Sequence, residues 1–217
     1  MKVAFLTSGG VAPCLSASIA YLIQEYSAID NSIEFYGYKH GYKGLLLGHK
    51  ISIPNNLSNK ADLIASFGGS ALGNSRVKLT NIDDCIKNKY IQENELPVEV
   101  AAKQLSSDGI DILHTIGGDD TNTAAADLVK YLKANNYNLT VVGLPKTIDN
   151  DVFPISQTLG AYTASEQGAI FFNNIVNENT TSSRQLIIHE VMGRNCGWLT
   201  AATAYEYRKL LKNRDFI

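Results

Sequence analysis

The sequence predicts an α/β fold: a Rossmann-like, doubly wound, mostly parallel sheet with helices on both faces, in three layers. Two observations predict it. Short apolar runs alternate along the chain with longer amphipathic segments, a pattern typical of parallel strands joined by helices. Glycine-rich or acidic segments follow several of the apolar runs directly, and such sheets bind ligands at the carboxyl ends of their strands.

The first half of the chain supplies two strands and four helices. Each strand is a short apolar run that ends at glycine or polar residues, and each helix shows apolar residues at helical spacing. A Gly68-Gly69-Ser70 segment ends the second helix. In chain order we predict a strand at Val3–Leu6, a helix at Leu15–Tyr26, a strand at Ile33–Tyr38, and helices at Ala61–Phe67, Asp83–Glu93 and Val98–Ser107.

The second half continues the alternation more regularly. No internal repeat or low-complexity linker interrupts it. In chain order we predict a strand at Ile110–Ile116, a helix at Asn122–Asn135, a strand at Leu139–Leu144, a helix at Ala161–Val176, a strand at Gln185–Val191 and a helix at Leu199–Leu211.

Composition excludes several classes of protein. The chain has 217 residues and 45% hydrophobic residues, which is typical of a globular protein. Lys and Arg total 19 against 21 Asp and Glu, a net charge of −2, so we expect no nucleic-acid or membrane partner. No apolar run approaches the roughly 18 residues of a membrane span. The three cysteines, Cys14, Cys85 and Cys196, form no CxxC motif, which favours reduced thiols and a cytoplasmic location.

Two glycine-rich corners follow predicted strands. In Thr7–Cys14, Gly9 and Gly10 would let backbone N–H groups approach an anion at the start of a helix; the structural alternative is a tight turn. In Gly117–Thr121, Asp119 is a candidate Mg²⁺ ligand and Thr121 a candidate cap for the next helix. Its acidic residues could instead serve only the helix dipole.

The segment Pro145–Asp151 is harder to explain structurally. A predicted buried strand leads straight into Lys146-Thr147-Ile148-Asp149-Asn150-Asp151. A carboxylate beside a substrate hydroxyl can accept its proton during phosphoryl transfer, and a second can position the first or a metal. Together with the Gly117–Thr121 corner, this segment predicts a Mg²⁺-dependent phosphoryl-transfer site.

Arginines supply candidate anion contacts. Arg194 follows Met192 and Gly193 after a predicted strand, and a guanidinium there could clamp a phosphate or form a salt bridge with a neighbouring acid. Arg76 and Arg184 are further candidates, with a solvated surface role as the alternative. No role is predicted for His114 or His189.

Taken in order, these segments resemble the 6-phosphofructokinase family, and most closely its pyrophosphate-dependent branch. The resemblance extends from Met1 to about Tyr207. Six motifs carry it: Gly9–Pro13, Gly41–Leu45, Gly68–Arg76, Gly117–Asp120, Pro145–Asp151 and Met192–Arg194.

The resemblance implies a role for each matching residue. Asp149 would be the general base that accepts the proton of the sugar 1-hydroxyl, Asp119 the Mg²⁺ ligand, and Gly10 a neighbour of the phosphoryl donor. Arg76 would lie near the transferred group, and Arg184 would reach the sugar phosphate of a neighbouring subunit. The fructose 6-phosphate site would be lined by Thr147, Ile148, Asp149, Met192, Gly193 and Arg194.

Two further positions bear on the choice of donor, and with Asp149 they complete the predicted catalytic set. ATP-using members of the family typically have glycine at the positions of Asp120 and Lys146. A carboxylate at position 120 would repel the α-phosphate of ATP, whereas an ammonium at position 146 can neutralise pyrophosphate. The resemblance therefore implies pyrophosphate and fructose 6-phosphate as substrates and Mg²⁺ as cofactor.

The chain is shorter than family members, which run to roughly one and a half to two times its length. We expect a phosphofructokinase-type large domain at 1–160 that binds pyrophosphate and Mg²⁺, and an incomplete fructose 6-phosphate domain at 161–217. When full length, the protein would be a homo-oligomer, either a dimer or a tetramer. The alternatives are a truncated or non-catalytic phosphate-binding subunit and, with less support, an ATP-dependent enzyme.

Overall fold

A computed structural model describes residues 1–181 and 183–212. The chain divides into two compact units, the first at Met1–Lys146 and the second beginning at Thr147. The predicted second domain, 161–217, ends in residues 213–217, which lie outside the described residues. No helix within the described ranges is long and apolar enough to cross a membrane.

The first unit is built on a five-stranded sheet in the order β3-β2-β1-β4-β5. All neighbouring pairs are parallel except β2 and β3, which are antiparallel. The strands are β1 (Lys2–Ser8), β2 (Glu34–Tyr38), β3 (Lys50–Ile53), β4 (Ile112–Gly117) and β5 (Thr140–Pro145).

Helices connect these strands and continue into the second unit. The six helices of the first unit are α1 (Cys14–Ile29), α2 (Tyr42–Leu46), α3 (Ala61–Ala65), α4 (Ile82–Lys87), α5 (Pro97–Ser107) and α6 (Asp119–Ala134). A 3₁₀ helix at Asn55–Lys60 precedes α3. The second unit contains α7 (Ala161–Asn179) and α8 (Trp198–Lys212).

The alternation of side chains along β1 explains the three layers. Val3 and Phe5 pack with Leu15 and Ile19 of α1 on one face of the sheet. Ala4 and Leu6 belong to a second core on the opposite face, with residues of α2, α5 and α6. Since every residue of β1 after Lys2 is buried, the strand is covered on both faces, as expected of a parallel sheet. The predicted α/β class is confirmed.

One predicted strand is wrong. Gln185–Val191 is not part of any sheet among the described residues, and the side chains of Leu186 and Ile188 are each 84% exposed. The apolar alternation favours an extended backbone, but a strand also requires a neighbour that pairs with its N–H and C=O groups. No described strand supplies that neighbour here.

Several boundaries also differ from the prediction. The predicted helix Asp83–Glu93 is the shorter α4, because the chain turns after it through Lys89, whose φ is +57°. The helix predicted to begin at Asn122 begins at Asp119. The elements α2, β3 and the 3₁₀ helix were not predicted, since each is six residues or fewer and so has little periodicity.

Candidate functional site

The first glycine corner follows β1 and is held by the Asn74–Ser75 segment. The N–H of Gly9 donates to the carbonyl of Ser75 at 2.9 Å, and the Ser8 hydroxyl donates to the same oxygen at 3.0 Å. The Asn74 amide donates to the Gly9 carbonyl. Gly9 has a φ of +87°, which strains any other residue. Arg76 follows directly and is exposed, so the backbone places this predicted arginine beside the corner.

Lys146 lies against this corner. The residue is only 7% exposed, and a Cβ added to Gly10 would lie 3.4 Å from the Nζ of Lys146. Burial raises the pKa of the nearby Cys14 thiol, and the positive charge of Lys146 offsets part of that rise. The ammonium and the backbone of Gly10 therefore meet at the start of α1, where no acidic side chain occupies the first turn.

The second glycine corner lies at the end of β4, beside the first. Thr121 does not cap α6, because the helix begins two residues earlier and its N-cap is Gly118, with no side-chain bond. Instead the Asn122 amide donates to the carbonyls of Gly117 and Gly118 at 2.9 and 2.8 Å. The N–H of Lys146 donates to the carbonyl of Gly117 at 2.7 Å. The fastening role of Asn122 was not predicted from the sequence.

Asp119 and Asp120 are exposed in the first turn of α6. The carboxylate of Asp120 pairs with the Nζ of Lys78 at 2.7 Å. Lys78 was not singled out by the sequence, although it lies two residues after Arg76 in the segment that leaves the first corner. Both side chains are largely solvated, so the pair orients the carboxylate more than it stabilises the fold.

The residues that are present fit a Mg²⁺ ion that completes its shell with phosphate oxygens and water. No group of three acidic, histidine or cysteine side chains is arranged to hold a metal within residues 1–181 and 183–212. Mg²⁺ does not require one, because it retains several waters and is typically held by one or two carboxylates plus substrate phosphates. Asp119 offers such a carboxylate without an ion pair in the described part of the first unit.

In the second unit, the loop that begins at Thr147 is fastened by Thr158. The hydroxyl of Thr158, a residue only 1% exposed, donates to the carbonyl of Thr147 at 2.6 Å. Its N–H donates to the side-chain oxygen of Asn150 at 2.8 Å. The Asp149 N–H donates to the hydroxyl of Thr147 at 3.1 Å. Asn150 has a φ of +53°, a conformation that asparagine tolerates, so the loop around Asp149 is fixed and Ile148 is carried within it.

The second unit also brings the predicted Met192–Arg194 segment to this loop. The N–H of Cys196 donates to the carbonyl of Gly193 at 2.8 Å, which closes a turn. The thiol of Cys196 donates to the carbonyl of Asp149 at 3.2 Å. The sequence indicates no role for Cys196, because its spacing matches neither a metal site nor a disulfide.

The side chains of the remaining predicted residues are exposed. Met192, Arg184 and Arg194 are open to solvent, and the two arginines have φ values of +61° and +51°. Within the described residues of the second unit, neither arginine forms an ion pair. The structural alternative of a salt bridge at Arg194 is therefore not realised in that unit.

The mostly parallel sheet therefore places two adjacent glycine corners, a buried lysine and acidic residues at its strand ends, the edge at which α/β proteins of this type bind ligands. The family model "Phosphofructokinase" matches residues 2–208. The chain belongs to the phosphofructokinase family, as the order of its motifs predicted.

Individual relatives agree with this assignment. The chain is 62% identical over 216 residues to the pyrophosphate–fructose 6-phosphate 1-phosphotransferase of Methylomonas methanica, covering 100% of this chain and 53% of that protein. It is 32% identical over 203 residues to ATP-dependent 6-phosphofructokinase 2 of Clostridium perfringens, covering 91% of this chain and 51% of that protein. The chain thus spans about half the length of the curated relatives it matches.

A solved phosphofructokinase structure has a similar fold. The crystal structure of a pyrophosphate-dependent phosphofructokinase from Marinobacter aquaeolei superimposes with a TM-score of 0.76 over 94% of this chain and 49% of that chain, at 22% identity. At that identity the likeness bears on the fold alone.

Proposed function

We propose that the protein containing this chain is a pyrophosphate-dependent 6-phosphofructokinase. It would transfer a phosphoryl group reversibly between pyrophosphate and the 1-hydroxyl of fructose 6-phosphate, giving fructose 1,6-bisphosphate and phosphate. The observation that carries the proposal is the buried Lys146, whose Nζ would lie 3.4 Å from a Cβ added to Gly10, together with a second carboxylate, Asp120, beside Asp119. The 62% identity to a pyrophosphate–fructose 6-phosphate 1-phosphotransferase supports it.

The donor side of the reaction follows from the two glycine corners. Pyrophosphate would lie against Gly10, where backbone N–H groups, the Lys146 ammonium and the start of α1 favour negative charge. Arg76 would reach the group in transfer. Asp119 would hold Mg²⁺, which when bound would neutralise charge that develops on the phosphoryl oxygens.

The acceptor side depends on the second unit. Asp149 would take the proton from the 1-hydroxyl as the oxygen attacks phosphorus, and the bond to the leaving phosphate would break as the new one forms. The fixed backbone of Thr147 and Ile148 would shape the sugar site. Phosphate contacts would come from the Met192–Arg194 turn and from Arg184, which would serve a neighbouring subunit.

The choice of donor rests on charge. The Asp120 carboxylate would crowd and repel the α-phosphate of ATP. Pyrophosphate has no third phosphate and would not meet this repulsion. Lys146 would supply a positive charge that pyrophosphate can use without a nucleoside to anchor it.

Coupled assays of the intact protein with pyrophosphate or ATP as donor test the proposal. We expect turnover with pyrophosphate and very little with ATP. The double variant Asp120→Gly, Lys146→Gly should lose much of that preference, because it removes both the repulsion and the pyrophosphate contact. Asp119→Ala should weaken the dependence on Mg²⁺. Comparable turnover of the unaltered protein with ATP would contradict the proposal.

The alternative is a phosphate-binding subunit without catalysis of its own. The presence of both Asp119 and Asp149 favours the enzyme. The domain division at residue 160, homo-oligomeric assembly and a cytoplasmic location remain proposals. The location is supported by three free cysteines, which are common in reducing compartments.

A further inference from the structure

Cys196 joins two segments that are distant in sequence. Its half-buried thiol donates to the backbone carbonyl of Asp149, 47 residues away, at 3.2 Å. A thiol is a weak donor, but this bond acts on the residue proposed as the base.

The turn that carries Cys196 is tightly specified. The N–H of Cys196 donates to Gly193 at 2.8 Å, and a Cβ added to Gly193 would overlap the carbonyl oxygen of Cys196. Gly193 also has a φ of +151° and Arg194 one of +51°. The backbone from Gly193 to Cys196 can therefore adopt this shape only with glycine at its start, and this shape directs the thiol to Asp149.

Other parts of the Asp149 loop are held by hydrogen bonds from Thr158. Thr158 holds the carbonyl of Thr147 and the side chain of Asn150, which lie on either side of Asp149. Within the second unit, the Cys196 thiol is the described group that fixes the Asp149 carbonyl itself.

We propose that Cys196 is a positioning residue: its thiol sets the placement of Asp149 and ties the proton-accepting loop to the Met192–Arg194 turn. This inference rests on the proposed function, because it assigns a purpose to holding these two segments together. A small misplacement of a reacting group can cost a large factor in rate. Serine at position 196 would keep a donor of similar size, whereas alanine would leave the carbonyl without one.

The kinetic test compares Cys196→Ala with Cys196→Ser in the intact protein, using Thr200→Ala as the control. Thr200 is exposed in the first turn of α8. We expect Cys196→Ala to lower kcat about 2- to 3-fold, near the lower end for one neutral hydrogen bond, because a thiol is a weak donor. KM for pyrophosphate should be unchanged, and Cys196→Ser should restore most of kcat. Equal kinetics for Cys196→Ala and the unaltered protein, or equal losses in both variants, would overturn the inference.

Hydrogen exchange provides a readout that does not require activity. In Cys196→Ala, peptides covering residues 147–151 and 192–194 should exchange several-fold faster, while Cys196→Ser and Thr200→Ala should match the unaltered protein. Unchanged exchange in Cys196→Ala would overturn the inference even if the protein proved inactive with pyrophosphate. Inactivity of the unaltered protein, by contrast, would count against the proposed function alone.

Discussion

Asp149 is hydrogen-bonded through both its backbone N–H and its backbone carbonyl. The N–H of Asp149 donates to the Thr147 hydroxyl, and the carbonyl of Asp149 accepts from the Cys196 thiol. Within the described residues of the second unit, no hydrogen bond or ion pair engages the carboxylate oxygens. A general base needs this combination, because its position must be fixed while its lone pairs remain open to the substrate proton.

Asp149→Asn should therefore lower kcat by about 10²–10⁴, since asparagine keeps the size of the side chain but cannot accept the proton. Steady-state kinetics of the intact protein measure kcat, and fructose 6-phosphate binding should change much less. Glu166→Gln, which makes the same exchange at an exposed position of α7, is the control. Near-normal turnover of Asp149→Asn would show that another group takes the proton.

His114 affects the stability of the fold and is given no role in the proposed reaction. It is 4% exposed on β4, stacks on Phe5 with ring centroids 5.6 Å apart, and lies 2.9 Å from the Tyr26 hydroxyl through Nε2. Burial lowers the pKa of His114 to about 4. Between pH 6.5 and 4 the unfolded chain therefore takes up a proton at this position that the folded chain does not.

The free energy of unfolding should consequently fall as pH drops through this range, by roughly 3 kcal/mol from His114. Urea denaturation at several pH values measures the fall. His114→Gln should flatten this pH dependence, because glutamine cannot be protonated. Thr123→Ala, at an exposed position of α6, should leave the dependence unchanged, because it removes no titrating group. An equally steep fall in His114→Gln would assign the pH dependence to other groups.

At the scale of elements, the start of α6 depends on a side chain that sequence patterns did not identify. The Asn122 amide donates to both glycine carbonyls of the second corner, and the Tyr42 hydroxyl of α2 donates to the Thr121 carbonyl at 2.9 Å. These bonds fix the turn that presents Asp119 and Asp120.

Asn122→Ala should lower the free energy of unfolding by about 1–3 kcal/mol, the sum of two hydrogen bonds to buried or partly buried carbonyls. It should also weaken binding of Mg-pyrophosphate, because the corner would lose its shape. Urea denaturation and calorimetric titration measure the two effects. Thr123→Ala, an exposed change in the same turn, should show neither effect. Unchanged stability in Asn122→Ala would mean that the backbone alone fixes the corner.

The sequence predicted what depends on local pattern. The strands around Val3–Leu6 and Leu139–Leu144 and the helix around Ala161–Val176 are present because apolar periodicity reflects burial in regular elements. The edge strand β3 escaped prediction, since four residues carry almost no periodicity. The failure at Gln185–Val191 has a different cause, because a strand depends on a partner that a segment's own sequence does not describe.

The candidate site also contains residues that the sequence predicted and residues that it did not. Family motifs located Asp119, Asp149 and Lys146, and their roles remain proposals. The residues that hold them, Asn122 and Cys196, act through backbone carbonyls. Such contacts follow from the three-dimensional arrangement, so no spacing in the chain reveals them.

At the scale of the whole molecule, the second unit leaves large apolar side chains uncovered. Phe153, Leu186, Ile188 and Met192 are each at least 75% exposed. Exposed apolar surface of this kind promotes association. Within the described residues, the proposed cationic contacts for a sugar phosphate are Arg184 and Arg194.

We therefore expect the 217-residue chain alone to bind Mg-pyrophosphate weakly, to turn over negligibly and to associate with itself. Assay in the reverse direction, with fructose 1,6-bisphosphate and phosphate, measures turnover, and sedimentation measures association. Turnover of about 1–100 s⁻¹, the usual scale for such transfers, would show that this length of chain is sufficient.

The pairing of β1 with β4 constrains how donor preference can evolve. Ser8 and Gly117 are register partners at the ends of these two strands, so the two glycine corners are set one strand spacing apart by a ladder in the interior of the sheet. Evolution could not widen or narrow that gap to suit a larger donor without breaking backbone hydrogen bonds between β1 and β4. Under the proposed function, it could only exchange side chains near the two corners, such as those at positions 120 and 146. A switch of phosphoryl donor in this architecture would then take few mutations and leave the fold intact.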